Sequence, residues 1–436
     1  MSDQRAVTSV DYERPYRPLA VAMANRVGRL LGKAGARGAD LRVDGLLAAA
    51  RAKTGLDDFG DGAFLGRLEI LLDGAEREAS LHPLGRYMAR GNFVRILCSR
   101  LRMRDAFNRC PGILEQPMQD PVFVVGLQRT GTTILHRLLA SDPSHRFLAS
   151  WEAVNPAPLP VRGAKQWARK FLRAWVPEGG PDPRIRGAVM AAKAAAWLAP
   201  DFFAIHPVEA HAPEEDVLLF DYDFWSTVPE STMNVPTYSV WLEDRDHLPA
   251  YEYYRDVLKL LYWQRPVGRW VLKTPHHLEH LDALLKVFPG AKIIQTHRDP
   301  LRVVASFCSM ISHARGIFSD EVDPVEVGRQ WSRKQVRMVT RAMEVRDKAR
   351  HDTFIDVAYK DLVADPIGQL RRVYAFIGVE LTPYRERRMR EFMAENPQHK
   401  YGRHKYGLEY FKLDRKDLEN RFAAYRERFN IPSEQV

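Results

Sequence analysis

A predicted strand, a glycine-rich loop and a predicted helix follow one another directly between residues 121 and 141. The β-branched run PVFVVG (121–126) is bounded by proline and glycine, which predicts a buried strand. In TTILHRLLAS (132–141) the apolar residues recur at helical spacing. The loop between them, GLQRTGTT (126–133), presents backbone N–H groups and threonine hydroxyls at a helix N-terminus, an arrangement that binds anions.

Three later segments repeat the pattern of a strand that leads into a loop and a helix. They are RWVLKT (269–274), AKIIQTHR (291–298) and TFIDVAY (353–359). Strands that alternate with helices form parallel sheets, so the sequence predicts an α/β fold, a P-loop-type three-layer sandwich with a central parallel sheet. Ligands are then expected at the carboxyl ends of the strands.

The 436 residues divide into two predicted parts. Residues 1–115 carry apolar side chains at helical spacing without strand-like alternation, which predicts a helical N-terminal region. Residues 116–436 form the predicted P-loop domain. Within it, residues 156–213 are rich in proline and aromatic residues, and we interpret them as a helical cap inserted over the core.

Composition narrows the class of partner without selecting one. The net charge of +10 favours an anionic partner, whether nucleic acid, acidic lipid or a phosphorylated small molecule. No apolar run approaches the length of a membrane span, and the N-terminus lacks a hydrophobic signal core, so a cytoplasmic location is expected. The three cysteines do not stand at metal-ligand spacing, and no metal site is predicted.

The loop resembles the nucleoside-triphosphate loop G-x-x-x-x-G-K-[ST], with one difference. Gly126 and Gly131 are separated by four residues, but the lysine position holds Thr132, and Arg129 stands earlier in the loop. The missing lysine removes the contact to the β- and γ-phosphates that kinases use. A kinase or NTPase is therefore the less favoured alternative.

Two further strands end in cationic residues. Lys273 ends one strand and Arg298 ends the next. Asp299 and Pro300 then begin a helix on which Ser306 lies about two turns in, so Arg298 and Ser306 can converge on one anion near the helix N-terminus. The chain thus offers two anion sites on different strands of one sheet.

These two motifs, QRTGTT and THRDPLRVVAS, resemble those of sulfotransferases that use 3'-phosphoadenosine 5'-phosphosulfate (PAPS). The resemblance extends over about residues 118–430, and the SWE, PEED, LKTPHH and THRDP blocks are most similar to the bacterial sulfotransferase branch. It implies that Arg298 and Ser306 bind the 3'-phosphate and that Tyr359 lies near the adenine. The residues it implies around the 5'-phosphosulfate are Arg129, Thr130, Gly131, Thr132 and Thr133.

The resemblance also implies a general base, for which three residues are candidates. His277 in LKTPHH is favoured, His276 is its near rival, and Glu152 in SWEAVNP is the third. Each has a structural alternative, since a histidine beside a proline can cap a helix and Glu152 can orient a loop. Lys273 would stabilise the leaving phosphate together with Arg129. A late basic loop, HKYGRHKYG (399–407), adds Arg403 as a candidate 3'-phosphate contact.

The expected function is in-line transfer of a sulfuryl group from PAPS to a hydroxyl or amine of an apolar or lipid-like acceptor. The expected product is 3',5'-adenosine bisphosphate (PAP), and no metal is required. Peripheral membrane contact and a homodimer are candidate associations, and nucleic acid is not an expected partner. The non-catalytic alternative is a basic protein that binds polyanions without turnover.

Overall fold

The computed structural model describes residues 11–35, 38–159, 182–396 and 406–434. The strands within these ranges are β1 (Val122–Gly126), β2 (His145–Arg146), β3 (Arg269–Lys273), β4 (Lys292–His297) and β5 (Phe354–Ala358). The α-helices within the same ranges are α1 (Leu19–Lys33), α2 (Val43–Thr54), α3 (Ala63–Arg77), α4 (Pro83–Arg109), α5 (Thr132–Ala140), α6 (Ser150–Val154), α7 (Pro183–Leu198), α8 (Pro200–Ile205), α9 (Val228–Thr232), α10 (Pro236–Glu243), α11 (Leu248–Gln264), α12 (Leu281–Val287), α13 (Pro300–Gly316), α14 (Pro324–Arg346), α15 (Tyr359–Ala364), α16 (Pro366–Phe376), α17 (Pro383–Glu395), α18 (Arg415–Arg421) and α19 (Ala423–Arg428). Short 3-10 helices lie at Pro111–Ile113, Asp216–Asp223, Pro275–Glu279 and Glu409–Phe411.

The strands form one parallel sheet in the order β2-β3-β1-β4-β5. In its register, Val124 of β1 lies opposite both Lys273 of β3 and Ile294 of β4, and Gly126 lies opposite Thr296. The carboxyl ends of β1, β3 and β4 therefore meet at one edge. The predicted α/β fold with a central parallel sheet is confirmed, and the four predicted strands lie where expected, while β2, with two residues, was not predicted.

The central strand β1 is buried on both faces of the sheet, which explains why it is continuously apolar. Along β1 the side chains alternate between two hydrophobic clusters: Phe123 and Val125 belong to the first, and Val122 and Val124 to the second. Helices α11 to α14 contribute to the first cluster, and α5, α16 and α17 to the second. Helices thus cover both faces, as a three-layer sandwich requires.

The N-terminal helices pack onto this core. Buried leucines of α2, α3 and α4, namely Leu46, Leu68 and Leu97, belong to the same cluster as Phe123 of the sheet. Before residue 115 the described secondary structure consists of α1 to α4 and one 3-10 turn. The division of the chain at residue 115 stays a prediction.

Of the predicted cap, the structure describes residues 156–159 and 182–213, which contain α7 and α8. Helix α7 is anchored to α6 through Ala188 and Trp151, and the guanidinium of Arg184 lies 4.6 Å from the centre of the Trp151 ring. The C-terminal segment forms two helices, α18 and α19, which meet at Phe422. Among the helices described, none is long and apolar enough to cross a membrane.

Candidate functional site

Two glycines give the loop after β1 its shape. Gly131, with φ +93°, precedes α5, and a Cβ there would lie 3.0 Å from a ring carbon of Tyr359. At Gly126 a Cβ would lie 2.3 Å from the Thr296 hydroxyl of β4. Because Gly131 has no side chain to cap α5, the first N–H groups of that helix stay available to an anion at the edge of the sheet.

The three threonines of the loop differ in their burial and in their contacts. The Thr130 hydroxyl is buried, donates to the Leu127 carbonyl at 2.6 Å and lies 2.6 Å from the Thr296 hydroxyl, so it holds the loop in place. Thr132 is also buried. Thr133 is exposed, and its hydroxyl lies 3.5 Å from the Lys273 ammonium. Of the three hydroxyls, that of Thr133 is best placed to meet a ligand.

Lys273, at the end of β3, connects this loop to an acidic segment. Its side chain is only 3% exposed, and Nζ donates to Glu215 Oε1 at 2.6 Å. Thr274 donates to the other carboxylate oxygen at 3.3 Å. Glu215 stands directly before the 3-10 helix Asp216–Asp223 and keeps a quarter of its side chain exposed. The structure thus pairs the strand-end lysine with an accessible carboxylate.

His277 lies in a closed network beneath the sheet edge. Its Nε2 is 2.9 Å from Asp216 Oδ2 and its Nδ1 is 2.8 Å from the Tyr251 hydroxyl. Burial alone would raise the pKa of Asp216, but the charge and hydrogen bond of His277 lower it, and the Tyr254 hydroxyl donates to the same carboxylate. Both His277 ring nitrogens are engaged and the ring is fully buried, so this arrangement leaves no lone pair for a substrate.

His276 belongs to a neutral cluster with His247 and His280. Burial lowers the pKa of His276 and His280 well below the usual range and that of His247 to about 4. One ring nitrogen from each of the three lies within 4.8 Å of the other two. However, the rings of His247 and His280 are stacked with centroids 3.5 Å apart and planes 17° apart. A metal ion lies in the plane of each imidazole that binds it, so these two rings cannot share one as they stand.

Glu152 is engaged in a buried ion pair. Arg146, at the end of β2, donates to both carboxylate oxygens at 2.9 and 2.6 Å. Arg265 adds a contact of 3.0 Å, and the Ala149 N–H donates at 3.1 Å. The carboxylate and Arg146 are at most 2% exposed, so Glu152 fastens β2 to α6 in this structure.

Arg298 lies beside the loop, on the side away from Lys273. Its guanidinium stacks 4.1 Å from the centre of the Tyr359 ring and donates to the Arg129 carbonyl at 3.3 Å. Its Nε and Nη2 donate to Glu434 at 3.0 and 2.8 Å. Burial lowers the pKa of Arg298, but the hydrogen bond and charge of Glu434 outweigh it and raise the pKa.

Two further residues, Ser306 and Arg403, were predicted to contact the 3'-phosphate. Ser306 is buried on α13, eight residues after Arg298. Arg403 lies outside the described residues. The structure therefore brings Arg129, Gly131, Arg298 and Tyr359 together at one end of the loop, and Thr133 and Lys273 at the other.

Glu215 and Glu434 were not among the predicted site residues. Glu215 stands in the PEED block, where acids also suit the first turn of a helix, so the sequence carried only a weak signal. Glu434 belongs to none of the motifs, so the sequence carried no signal for it. Both contacts join segments far apart in the chain, 58 residues for Glu215 with Lys273 and 136 for Glu434 with Arg298.

Comparison with known proteins tests the resemblance of this chain to sulfotransferases. Residues 121–383 match the model of the sulfotransferase family. Over 300 residues the chain is 25% identical to the ω-hydroxy-β-dihydromenaquinone-9 sulfotransferase Stf3 of Mycobacterium bovis and of Mycobacterium tuberculosis, covering 64% of this chain and 68% of each relative. The solved sulfotransferase STF1 of M. tuberculosis is 31% identical, with a TM-score of 0.73 over 88% of this chain and 98% of that one. STF9 of Mycobacterium avium is 28% identical, with a TM-score of 0.80 over 92% of this chain and 100% of that one.

Proposed function

The chain belongs to the sulfotransferase family, as its motifs suggested, and on that basis we propose that its sulfuryl donor is PAPS. One observation carries the proposal: the loop after β1, Lys273 and Arg298 supply three anion-binding elements around one edge of the sheet. A nucleotide with phosphate groups at two positions needs two such sites, separated by its ribose. The loop with Lys273 provides one, and Arg298 provides the other.

We assign the 5'-phosphosulfate to the loop. The first N–H groups of α5 and the hydroxyl of Thr133 would donate to its oxygens, and Lys273 and Arg129 would balance its charge. The 3'-phosphate would lie on Arg298 and Ser306, with the Tyr359 ring beside the nucleoside. Arg403 stays part of this proposal as a further phosphate contact.

The reaction would be an in-line displacement at sulfur. An acceptor oxygen forms the new S–O bond while the bond from sulfur to the bridging phosphate oxygen breaks, and PAP leaves with that electron pair. Negative charge grows on the leaving phosphate, where the buried Lys273 can donate a hydrogen bond. Since side-chain cations meet this charge, the proposal needs no magnesium.

For the acceptor we propose the hydroxyl of an apolar, lipid-like molecule. The Stf3 relatives are named for a hydroxylated menaquinone, which is a lipid alcohol. The cap supports the same class, because α7 exposes Trp197 and Met190 at 58% and 60%. Apolar side chains at this level of exposure suit contact with a lipid tail.

A membrane surface would bring such an acceptor to the enzyme, and we assign that contact to α1. Val21 and Asn25 face the protein, while Arg26 and Lys33 are exposed at one flank. Large apolar side chains are exposed on the opposite side of the helix: Leu19, Met23, Val27, Leu30 and Leu31. A helix with an apolar face and a basic flank binds anionic lipid surfaces.

Vesicle flotation tests this contact. The chain should float with vesicles that contain phosphatidylglycerol and less with pure phosphatidylcholine, and Val27→Glu should abolish flotation. If Val27→Glu instead converts a dimer to a monomer and vesicles are never bound, α1 is a contact between two copies of the chain.

Calorimetry tests the donor. PAP should bind without magnesium, and Arg298→Ala should weaken that binding. Binding of ATP that depends on magnesium would instead support the kinase alternative. Steeply salt-dependent binding to DNA or heparin without turnover would support the polyanion-binding alternative.

A further inference from the structure

We propose that Glu215 is the general base that accepts the proton of the acceptor hydroxyl. This inference rests on the proposed PAPS-dependent reaction and adds a catalytic residue to it. The three residues that the sequence offered for this role each have other partners or no access. His277 uses both ring nitrogens and is fully buried, His276 is buried within the histidine cluster, and Glu152 is held by two arginines.

Glu215 differs from these residues because it combines access with position. A quarter of its side chain is exposed, whereas that of Lys273 is buried. Lys273 lies between the carboxylate and the loop, at 2.6 Å from Glu215 and 3.5 Å from the Thr133 hydroxyl at the start of α5. A sulfuryl group held by the loop and Lys273 would thus have Glu215 close by.

The contacts of Glu215 leave room for a substrate proton. A carboxylate has about four lone-pair sites, and the side-chain hydrogen bonds from Lys273 and Thr274 use one on each oxygen. They fix the orientation of the group without filling it. The neighbouring Glu214 is turned elsewhere, since its Oε1 accepts the Glu215 N–H at 2.9 Å and lies 4.0 Å from His206.

The step balances without a further reactant. The acceptor O–H bond breaks and its proton moves to a Glu215 oxygen, while the acceptor oxygen bonds to sulfur. The bond between sulfur and the bridging oxygen breaks, and its electron pair stays on PAP. Lys273, with three N–H donors, can hold Glu215 and stabilise the leaving phosphate at the same time. The proton on Glu215 is then released to water.

Transfer from ³⁵S-labelled PAPS tests this role with two acceptors, geranylgeraniol as an aliphatic alcohol and 4-nitrophenol as an acidic one. Glu215→Gln should lower kcat for geranylgeraniol by about 100-fold or more, the lower range for loss of a general base. The loss should be much smaller for 4-nitrophenol, whose proton is already labile. Glu215→Asp should recover part of the activity, and PAP binding should stay within about twofold.

The matched control is Glu209→Gln, which removes an exposed carboxylate six residues earlier and should leave transfer unchanged. If Glu215→Gln transfers to geranylgeraniol at the wild-type rate, or loses the same factor with both acceptors, Glu215 is not the base. If the wild type neither binds PAP nor labels either acceptor, the proposed function itself is wrong. PAP binding by the variants separates a folding defect from a catalytic one.

Discussion

Two substitutions at the pair of Arg298 and Glu434 should change PAP affinity in opposite directions. The Glu434 carboxylate bonds to the guanidinium at 2.8 to 3.1 Å, and the Glu434 N–H donates to Asp299 at 2.6 Å. The carboxylate of Glu434 thus lies where we propose that the 3'-phosphate binds. Arg298→Ala removes the phosphate ligand, whereas Glu434→Gln removes only its competitor.

The magnitudes follow from the environment of the pair. Hydrogen bonds to a charged group contribute about 1.5–3 kcal/mol, so Arg298→Ala should weaken PAP binding by about 10- to 150-fold. Glu434 is 32% exposed, and partly exposed ion pairs are worth about 0.2–1 kcal/mol, so Glu434→Gln should tighten binding by at most about fivefold. The gain should shrink as salt rises, because salt already screens the pair.

Magnesium-free calorimetry at low and high salt measures both effects. Glu427→Gln, an exposed carboxylate on α19, is the matched control and should leave the Kd unchanged. Weaker PAP binding by Glu434→Gln would mean that the Glu434 carboxylate favours nucleotide binding instead of competing with it. An Arg298→Ala variant with wild-type affinity would refute the assignment of the 3'-phosphate to Arg298.

Three further predictions concern stability and the loop. Gly131→Ala forces a side chain into φ +93° and to 3.0 Å from the Tyr359 ring, so it should cost about 1–3 kcal/mol by urea unfolding and weaken PAP binding, and an unchanged midpoint would contradict the strain. Glu152→Gln should destabilise the fold by about 3–5 kcal/mol because it leaves Arg146 buried without its partner, and a stable but inactive variant would instead support Glu152 as the base. Burial lowers the pKa of His136 to about 3, so the unfolded chain takes up a proton that the folded chain does not. The free energy of unfolding should therefore fall as the pH drops from about 6.5 toward about 3, and His136→Gln should flatten that slope in urea titrations, whereas an unchanged slope would count against it.

The local parts of the fold could be predicted from sequence because their signals are contiguous. The strand PVFVVG, the loop and α5 lie within about twenty residues, and the sequence predicted them almost to their ends. The start of α13 was equally readable, since Asp299 caps the helix and Pro300 opens it. By contrast, β2 has two residues, too few for any period to show, and no glycine or proline marks the break at Phe422.

The site could be predicted only in part, because its partners are distant in the chain. Strand-end positions predicted Lys273 and Arg298 at one sheet edge, since parallel strands align their ends. No spacing rule shows that His277 is enclosed by Tyr251 and Asp216, or that Glu215 reaches Lys273. Those contacts depend on how α11 and the segment that carries Glu215 and Asp216 pack over β3. This packing is a property of the assembled core.

Mass spectrometry of a reaction with purified chain, PAPS and an ω-hydroxylated menaquinone, in the presence of a metal chelator, tests metal-free sulfuryl transfer to a lipid hydroxyl. We expect a sulfate ester of the lipid and an equal amount of PAP. Absence of any ester across hydroxylated lipid acceptors, together with magnesium-dependent ATP hydrolysis, would contradict it.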